Sequence, residues 1–281
     1  MRLFKRVILC VIVMLTTIVV NGQITSIGNA PFDSDSVRRA FDNQPHFSLY
    51  KDNYFIFGPS KITHPTARNT DVKFQLSISQ RLTNSTLPWG THLYLFYTQK
   101  CFWNILQESM PMTDLNFNPG IGLAKPLFVK NRYIGKIMLT LEHESNGKSQ
   151  LDSRSWNKIS FGANIMIDNN LIVHGKFWIP IIDGENNQDI LNYYGLWQGG
   201  FTASTHDKRF GLSMMFTKRA AGWNFNYNIV AELNYRVFKN ENQYLFLQYY
   251  NGYGEGLLDY NEHHSALRLG IVIKPKFFSE Y

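Results

Sequence analysis

Three residues of this chain, His143, Ser145 and Asn157, have the types and spacing that ester hydrolysis needs. A serine hydroxyl is a weak nucleophile until a base takes its proton, and a histidine within reach supplies that base. The imidazole must be held in one tautomer so that its second nitrogen faces the serine. An asparagine amide oxygen can do this by accepting the other ring N–H, which is triad logic with an uncharged third member. His-x-Ser alone is a short motif that recurs by chance, and a lone Asn more often serves a turn or a strand ladder. The surrounding pattern is what singles these three out.

Side chains on a strand alternate between two faces. Between Lys136 and Ile167 the odd positions read Ile137, Leu139, Leu141, His143, Ser145 and then Asn157, Ile159, Phe161, Ala163, Ile165. The even positions carry Lys136, Thr140, Glu142, Glu144, then Lys158, Ser160 and Asn164. His143, Ser145 and Asn157 therefore share the apolar face. A hairpin turning around Asn146-Gly147 makes His143 and Asn157 cross-strand neighbours. Polar groups at the rim of an apolar wall suit an enzyme whose substrate lies in a bilayer.

The same alternation recurs along the chain. Val72, Phe74, Leu76 and Ile78 oppose Lys73, Gln75, Ser77 and Ser79. A longer run, Trp223 to Val237, sets Trp223, Phe225, Tyr227, Ile229, Leu233 and Tyr235 against Asn224, Asn226, Asn228, Glu232, Asn234 and Arg236. Leu267, Leu269, Ile271 and Ile273 oppose Arg268 and Lys274. A period of two sustained over about ten residues is the transmembrane β signature, with apolar residues facing lipid and polar ones the interior. Gly, Asn, Asp and Pro clusters separate about ten to twelve such strands between Phe47 and Phe278. The fold class is all-β, a transmembrane antiparallel barrel of about twelve strands. Tyr54, Phe55, Trp103, Tyr193, Tyr194, Trp197, Tyr249 and Tyr250 are candidates for the aromatic girdles at its interfaces.

The N-terminus sets the compartment. Arg2, Lys5 and Arg6 precede an apolar run from Val7 to Val20, too short for a spanning helix and right for a signal peptide. The expected organisation is a signal peptide over 1–22, a periplasmic arm over 23–45 and the barrel over 46–281. Cys10 leaves with the leader, and Cys101 alone permits neither a disulfide framework nor a cysteine metal site. The formal charge of +7 drops by the three leader cations to +4, with no basic block, so no nucleic acid is expected as a partner. The eight histidines are scattered and suggest no metal site of their own.

His143-Glu144-Ser145-Asn146-Gly147-Lys148-Ser149, followed by Ser153-Arg154-Ser155-Trp156-Asn157, resembles the signature of the outer membrane phospholipase A family of Gram-negative bacteria. Phe47-Ser48-Leu49-Tyr50 with Asn53-Tyr54 looks like that family's opening strand. Val72 to Ser77, Tyr97-Thr98-Gln99, and Tyr250 to Glu255 with Leu258 to Asn261 are similar to further stretches in order. The resemblance implies a twelve-stranded barrel in the bacterial outer membrane, with its active site on the outer surface. It implies hydrolysis of the sn-1 acyl ester of phospholipids, with sn-2 and lysophospholipid activity as well. It also implies dependence on calcium (Ca2+) and activation by homodimerisation. By position, Lys148 through its backbone carbonyl and Ser153 would ligate calcium, Ser109 would reach in from the partner, and Gln99 would line the dimer or catalytic region. Asn186 falls where a further, acidic ligand is usual, Gln150 where an aspartate is common, and Lys148 where arginine is. The residues 274–281 run beyond the family's usual end.

A second reading is a barrel without catalysis, a porin or structural protein. A porin calls for a wider, water-filled lumen and more strands.

Overall fold

The computed structural model describes residues 46–83, 87–129, 132–182, 184–220, 222, 224–238 and 241–275. The expected signal peptide (1–22), the arm (23–45) and the chain's last residues lie outside these. Twelve strands form a closed antiparallel ring: β2 (Asn53–Pro59), β3 (Thr70–Arg81), β4 (His92–Trp103), β5 (Met112–Val129), β6 (Arg132–Ser145), β7 (Ser155–Met166), β8 (Leu171–Ile181), β9 (Trp197–Ser204), β10 (Phe210–Lys218), β11 (Tyr227–Arg236), β12 (Gln243–Gly252) and β13 (His264–Ile273). Each pairs with its sequence neighbours, and β13 closes on β2. Closure leaves no edge of unpaired backbone groups, the condition for strands to cross a bilayer.

A thirteenth strand, β1 (Phe47–Leu49), stands outside the ring and pairs with the far end of β3. The expected single opening strand is thus two pieces. At the kink between them, side chains replace the ladder: Asn53 Oδ1 accepts from the Ser77 N–H (2.7 Å), and Ser77 Oγ accepts from the Lys51 N–H (3.1 Å). The kink turns Tyr50 inward, where it stacks on Phe96 with centroids 4.4 Å apart, beside Met138.

The wall is inside out relative to a soluble protein. Leu76, Leu139, Leu141, Ile159, Phe161, Phe177 and Leu269 are exposed on the outer surface, whereas Lys73, Ser77, Thr140, Glu142, Ser160, Gln248 and Arg268 are buried within. The interior groups pair with one another. Arg268 binds Asp71 (2.7 Å) and Glu255 (2.7 Å), Glu255 also holds Lys73 (3.0 Å), and Lys73 reaches Gln248 (2.7 Å). At the mouth, the loop 253–263 folds inward until Asp114 Oδ2 accepts the Leu257 N–H (2.9 Å) and the Leu258 N–H (3.0 Å). Side chains cross the lumen, which argues against a porin's open channel.

Two sequence expectations are corrected. β11 begins at Tyr227, and Phe225, placed in the strand's alternation by the sequence, is fully exposed in the preceding loop, where Lys218 Nζ bonds the Arg219 and Gly222 carbonyls (both 2.8 Å); Trp223 lies outside the described residues. Tyr54 and Tyr250 are not girdle residues; both are buried inside, with Lys73 Nζ 5.7 Å from each ring centroid. Tyr193 and Tyr194 lie on α1 (Leu191–Tyr194), a single helical turn that packs with Trp156, Ile190, Leu257 and Tyr260 over the mouth.

The loops differ in length between the two ends. One end carries 60–69, 104–111, 146–154, 182–196, 219–226 and 253–263; the other carries 82–91, 130–131, 167–170, 205–209 and 237–242. In outer-membrane barrels the longer loops are extracellular and the short turns periplasmic. β6 ends, and β7 begins, at the long-loop end.

Candidate active site

The β6–β7 hairpin sets its register through pairs that run from Gly135↔Ile165 to Ser145↔Ser155 and place His143 directly across from Asn157. A hydrogen bond from the Asn146 N–H to the Arg154 carbonyl (3.1 Å) fixes which pairs exchange backbone bonds. By alternation, His143 and Asn157 form a pair that does not. Such pairs bring their side chains closest together. The side chains meet on the outer face, where His143 Nδ1 lies 2.8 Å from Asn157 Oδ1. An amide oxygen only accepts, so the proton sits on Nδ1 and the Nε2 lone pair is left available. Ser145, two residues further along β6, projects from the same half-buried face as His143.

Below this polar pair the wall is apolar, with Leu139 and Leu141 on β6 and Ile159 and Phe161 on β7 all exposed. Asn157's other neighbour is Ile181 on β8. The site therefore lies where the apolar outer wall gives way to the long loops.

The strand before the hairpin carries a proline. Tyr97 of β4 pairs with Pro119 of β5, and the β5–β6 register puts Pro119 opposite His143. Proline has no N–H to give to the ladder. Asn118 substitutes for it, donating from Nδ2 to the His143 carbonyl (2.8 Å). Gln99 lies on the outer face in the same lateral row as Ser145, joined through Phe117. Its Oε1 accepts from the Tyr97 hydroxyl (3.1 Å).

Behind the wall stands an ionic brace. Glu142 and Glu144, which flank His143 in sequence, point inward, and so does Lys158, which follows Asn157. Lys158 Nζ lies 3.2 Å from Glu144 and 3.8 Å from Glu142, and Lys176 of β8 reaches Glu142 at 2.7 Å. Glu142 is only 1% exposed, and it also accepts from Thr140 Oγ1 (2.8 Å). A paired, hydrogen-bonded charge cluster in a dry interior contributes register more than net stability. Here it ties three strands together directly behind the His143–Asn157 pair.

The loop 146–154 carries Lys148 and Ser153, and Asn146 shapes it. The Asn146 side chain is 3% exposed. Its Oδ1 accepts from the N–H groups of Lys148 (3.3 Å) and Arg154 (3.0 Å), and its Nδ2 donates to the Asp152 carbonyl (2.8 Å). Gly147 adopts φ +65°, where a Cβ would lie 2.8 Å from Phe117 Cε2. The Lys148 ammonium reaches the Thr113 carbonyl (3.3 Å) on β5. Asn186 comes to the same loop, donating from Nδ2 to the Gln150 carbonyl (2.8 Å), with Gln150 itself at φ +55°. Ser109 does not join them. It sits on the loop 104–111 with φ +63°, on the neighbouring hairpin. Asn146 is legible in the sequence only as a turn and signature residue and Asn118 not at all, because their partners are backbone groups that spacing does not reveal.

The donors on this loop are a backbone carbonyl and a hydroxyl. Among the described residues no cluster of three His, Cys, Asp or Glu could hold a metal. The donor chemistry suits a hard, oxygen-seeking cation such as calcium rather than a transition metal. Calcium takes six to eight oxygens, so further donors would have to join these two.

The phospholipase A1 family profile matches residues 41–273 of the chain. A phospholipase A1 of Salmonella typhimurium is 32% identical over 217 residues, spanning 75% of this chain and 72% of the relative. The outer membrane phospholipase A of Escherichia coli superposes with a TM-score of 0.71 at 27% identity, covering 81% of this chain and 98% of that one. The Salmonella typhi outer membrane phospholipase, solved as a dimer with bound calcium, superposes with a TM-score of 0.72 at 27% identity, covering 88% of this chain and all of that one. With the twelve-stranded ring and a family match running through nearly the whole barrel, this chain belongs to the phospholipase A1 family and is a β-barrel of the bacterial outer membrane.

Proposed function

We propose that the protein hydrolyses phospholipid acyl esters with Ser145 as nucleophile, His143 as general base and Asn157 as the residue that orients the imidazole. The observation that carries this reading is the 2.8 Å contact of His143 Nδ1 with Asn157 Oδ1 on the lipid-facing wall, beside Ser145. His143 Nε2 takes the Ser145 hydroxyl proton as Oγ attacks the ester carbonyl. The tetrahedral intermediate collapses to an acyl-serine, and His143 returns the proton to the departing glycerol oxygen. A water deprotonated by His143 then releases the fatty acid. Asn157 keeps its N–H acceptor in place throughout, and the imidazolium formed at each transition state strengthens that bond.

Calcium is the proposed cofactor, held by the Lys148 carbonyl and Ser153, with Asn186 beside the loop and Ser109 contributed by a second copy in a homodimer. When bound, it would polarise the developing oxyanion. Asn146 sets the loop shape that presents these oxygens. The two donors named leave most of calcium's six to eight ligand positions open to a second chain, and a site shared in that way would keep the enzyme idle in its own substrate membrane.

The test is phosphatidylcholine carrying different labels at sn-1 and sn-2, presented in mixed micelles. The expected first product is the sn-1 fatty acid, followed by sn-2 release and turnover of lysophospholipid. Ser109→Ala is expected to raise the calcium needed for half-maximal activity while the barrel stays folded. Unchanged calcium dependence in that variant would remove Ser109 from the site, and exclusive sn-2 release would overturn the proposed regiochemistry.

A further inference from the structure

β8 ends at Ile181, which lies opposite Asn157. Two residues back along β7, one side chain takes both backbone groups of Ser155: Asn187 Oδ1 accepts from the Ser155 N–H (3.2 Å), and Asn187 Nδ2 donates to the Ser155 carbonyl (2.9 Å). One side-chain amide thus makes the two bonds that a paired strand residue would have made. The side chain is 0% exposed. Gly184 makes room for it, since a Cβ there would lie 2.1 Å from Asn187 Oδ1.

Ser155 is the direct cross-strand partner of Ser145. Asn187 therefore anchors the strand that backs the nucleophile, at the end beyond the Asn157↔Ile181 pair. The anchor is itself fixed from behind. The Ile190 N–H donates to the Asn187 carbonyl (3.1 Å), and fully buried Ile190 packs with Trp156, the residue between Ser155 and Asn157. The adjacent Asn186 bond to Gln150 fastens the same loop to 146–154.

We propose that Asn187 is a positioning residue for the hydrolytic reaction, holding Ser155 and hence its cross-strand partner Ser145 in register. The inference rests on the reading of Ser145 as nucleophile. Misplacement of a reacting group by about 1 Å can cost ~100-fold in rate. Asn187→Ala is expected to lower kcat by about tenfold or more, with KM within about twofold of wild type because the lipid-facing wall is untouched. Asn187→Asp supplies the sharper readout. An ionised carboxylate accepts from the Ser155 N–H but repels its carbonyl, whereas the protonated acid offers both an acceptor and an O–H donor, as the amide does. The ratio of Asp-variant to wild-type kcat is therefore expected to rise several-fold as the pH falls from about 8 to 6, a buried carboxyl being raised in pKa. Exposed Glu185→Ala, in the same loop, is the control and should leave kcat unchanged.

A lowered unfolding temperature in Asn187→Ala with unchanged kcat, or a pH-independent ratio for the Asp variant, overturns the proposal. Absence of calcium-stimulated hydrolysis in the wild type would instead overturn the reading on which it rests, so the two failures are distinguishable.

Discussion

Replacing Asn157 with alanine removes one acceptor, 2.8 Å from His143 Nδ1, and leaves β7 otherwise intact. The cost can be worked from what that bond becomes during reaction. In the ground state it is a bond between neutral groups, worth about 0.5–1.5 kcal/mol. As His143 takes the serine proton it becomes charge-assisted and is worth about 1.5–3 kcal/mol. Only the gain from ground state to transition state, about 1–1.5 kcal/mol, enters kcat, and at 1.36 kcal/mol per factor of ten its loss lowers kcat by roughly 5- to 13-fold. KM should change little, since Asn157 touches the imidazole rather than the lipid. The estimate is well below the roughly 10⁴-fold loss seen when the charged third member of a Ser-His-Asp triad is neutralised. Initial rates of fatty-acid release from micelles at saturating calcium measure this directly, with the folded barrel verified in parallel. A loss under twofold would mean that Asn157 does not orient His143. A loss of four orders of magnitude would mean that Asn157 does more than accept a hydrogen bond.

Gly147→Ala places a Cβ against Phe117 and forces a non-glycine residue to φ +65°, a conformation costing about 1–2 kcal/mol. Activity should fall and the calcium requirement rise while the barrel still forms; wild-type calcium response would show that the loop tolerates the change. Glu255, in the loop 253–263, would have its pKa raised by burial alone, but Arg268, Lys73 and His264 hold it well below the ordinary carboxylate range. A depressed folded-state pKa contributes stability that is fully present above the unfolded value of about 4.3 and is lost as the pH falls through the lowered value. The unfolding temperature should therefore show no Glu255-dependent loss between pH 7 and 5. Glu255→Gln should lower it throughout that range, and an equal unfolding temperature for the two proteins would contradict the assignment.

The alternation was readable on β3, β6 and β7 because each side chain there faces either lipid or the polar interior, and the sequence writes that difference every second residue. It was enough to put His143 and Asn157 on one face, as cross-strand neighbours should the two strands pair, while the register itself is seen only in the folded hairpin. It overshot on β11, where Phe225 keeps the rhythm by composition although it lies outside the sheet. Aromatic residues misled in another way. The period assigns Tyr54 and Tyr250 to a face but not to a side, and a barrel that packs its lumen buries tyrosines inside as readily as it displays them at the interface. The interior charges at 142, 144 and 158 were visible as polar positions, but their joining with Lys176 into one brace depends on the curvature of three strands. Asn118, Asn146 and Asn187 were least legible. Each bonds backbone groups of another strand or turn, and only the folded chain shows which groups those are.

The most direct test of the account is fatty-acid release from phosphatidylcholine micelles by wild type and Ser145→Ala, each with calcium and with chelator. The account predicts release by the wild type in calcium, little with chelator, and none from a folded Ser145→Ala barrel. Calcium-dependent release by Ser145→Ala at the wild-type rate would contradict it, because the nucleophile would then lie elsewhere.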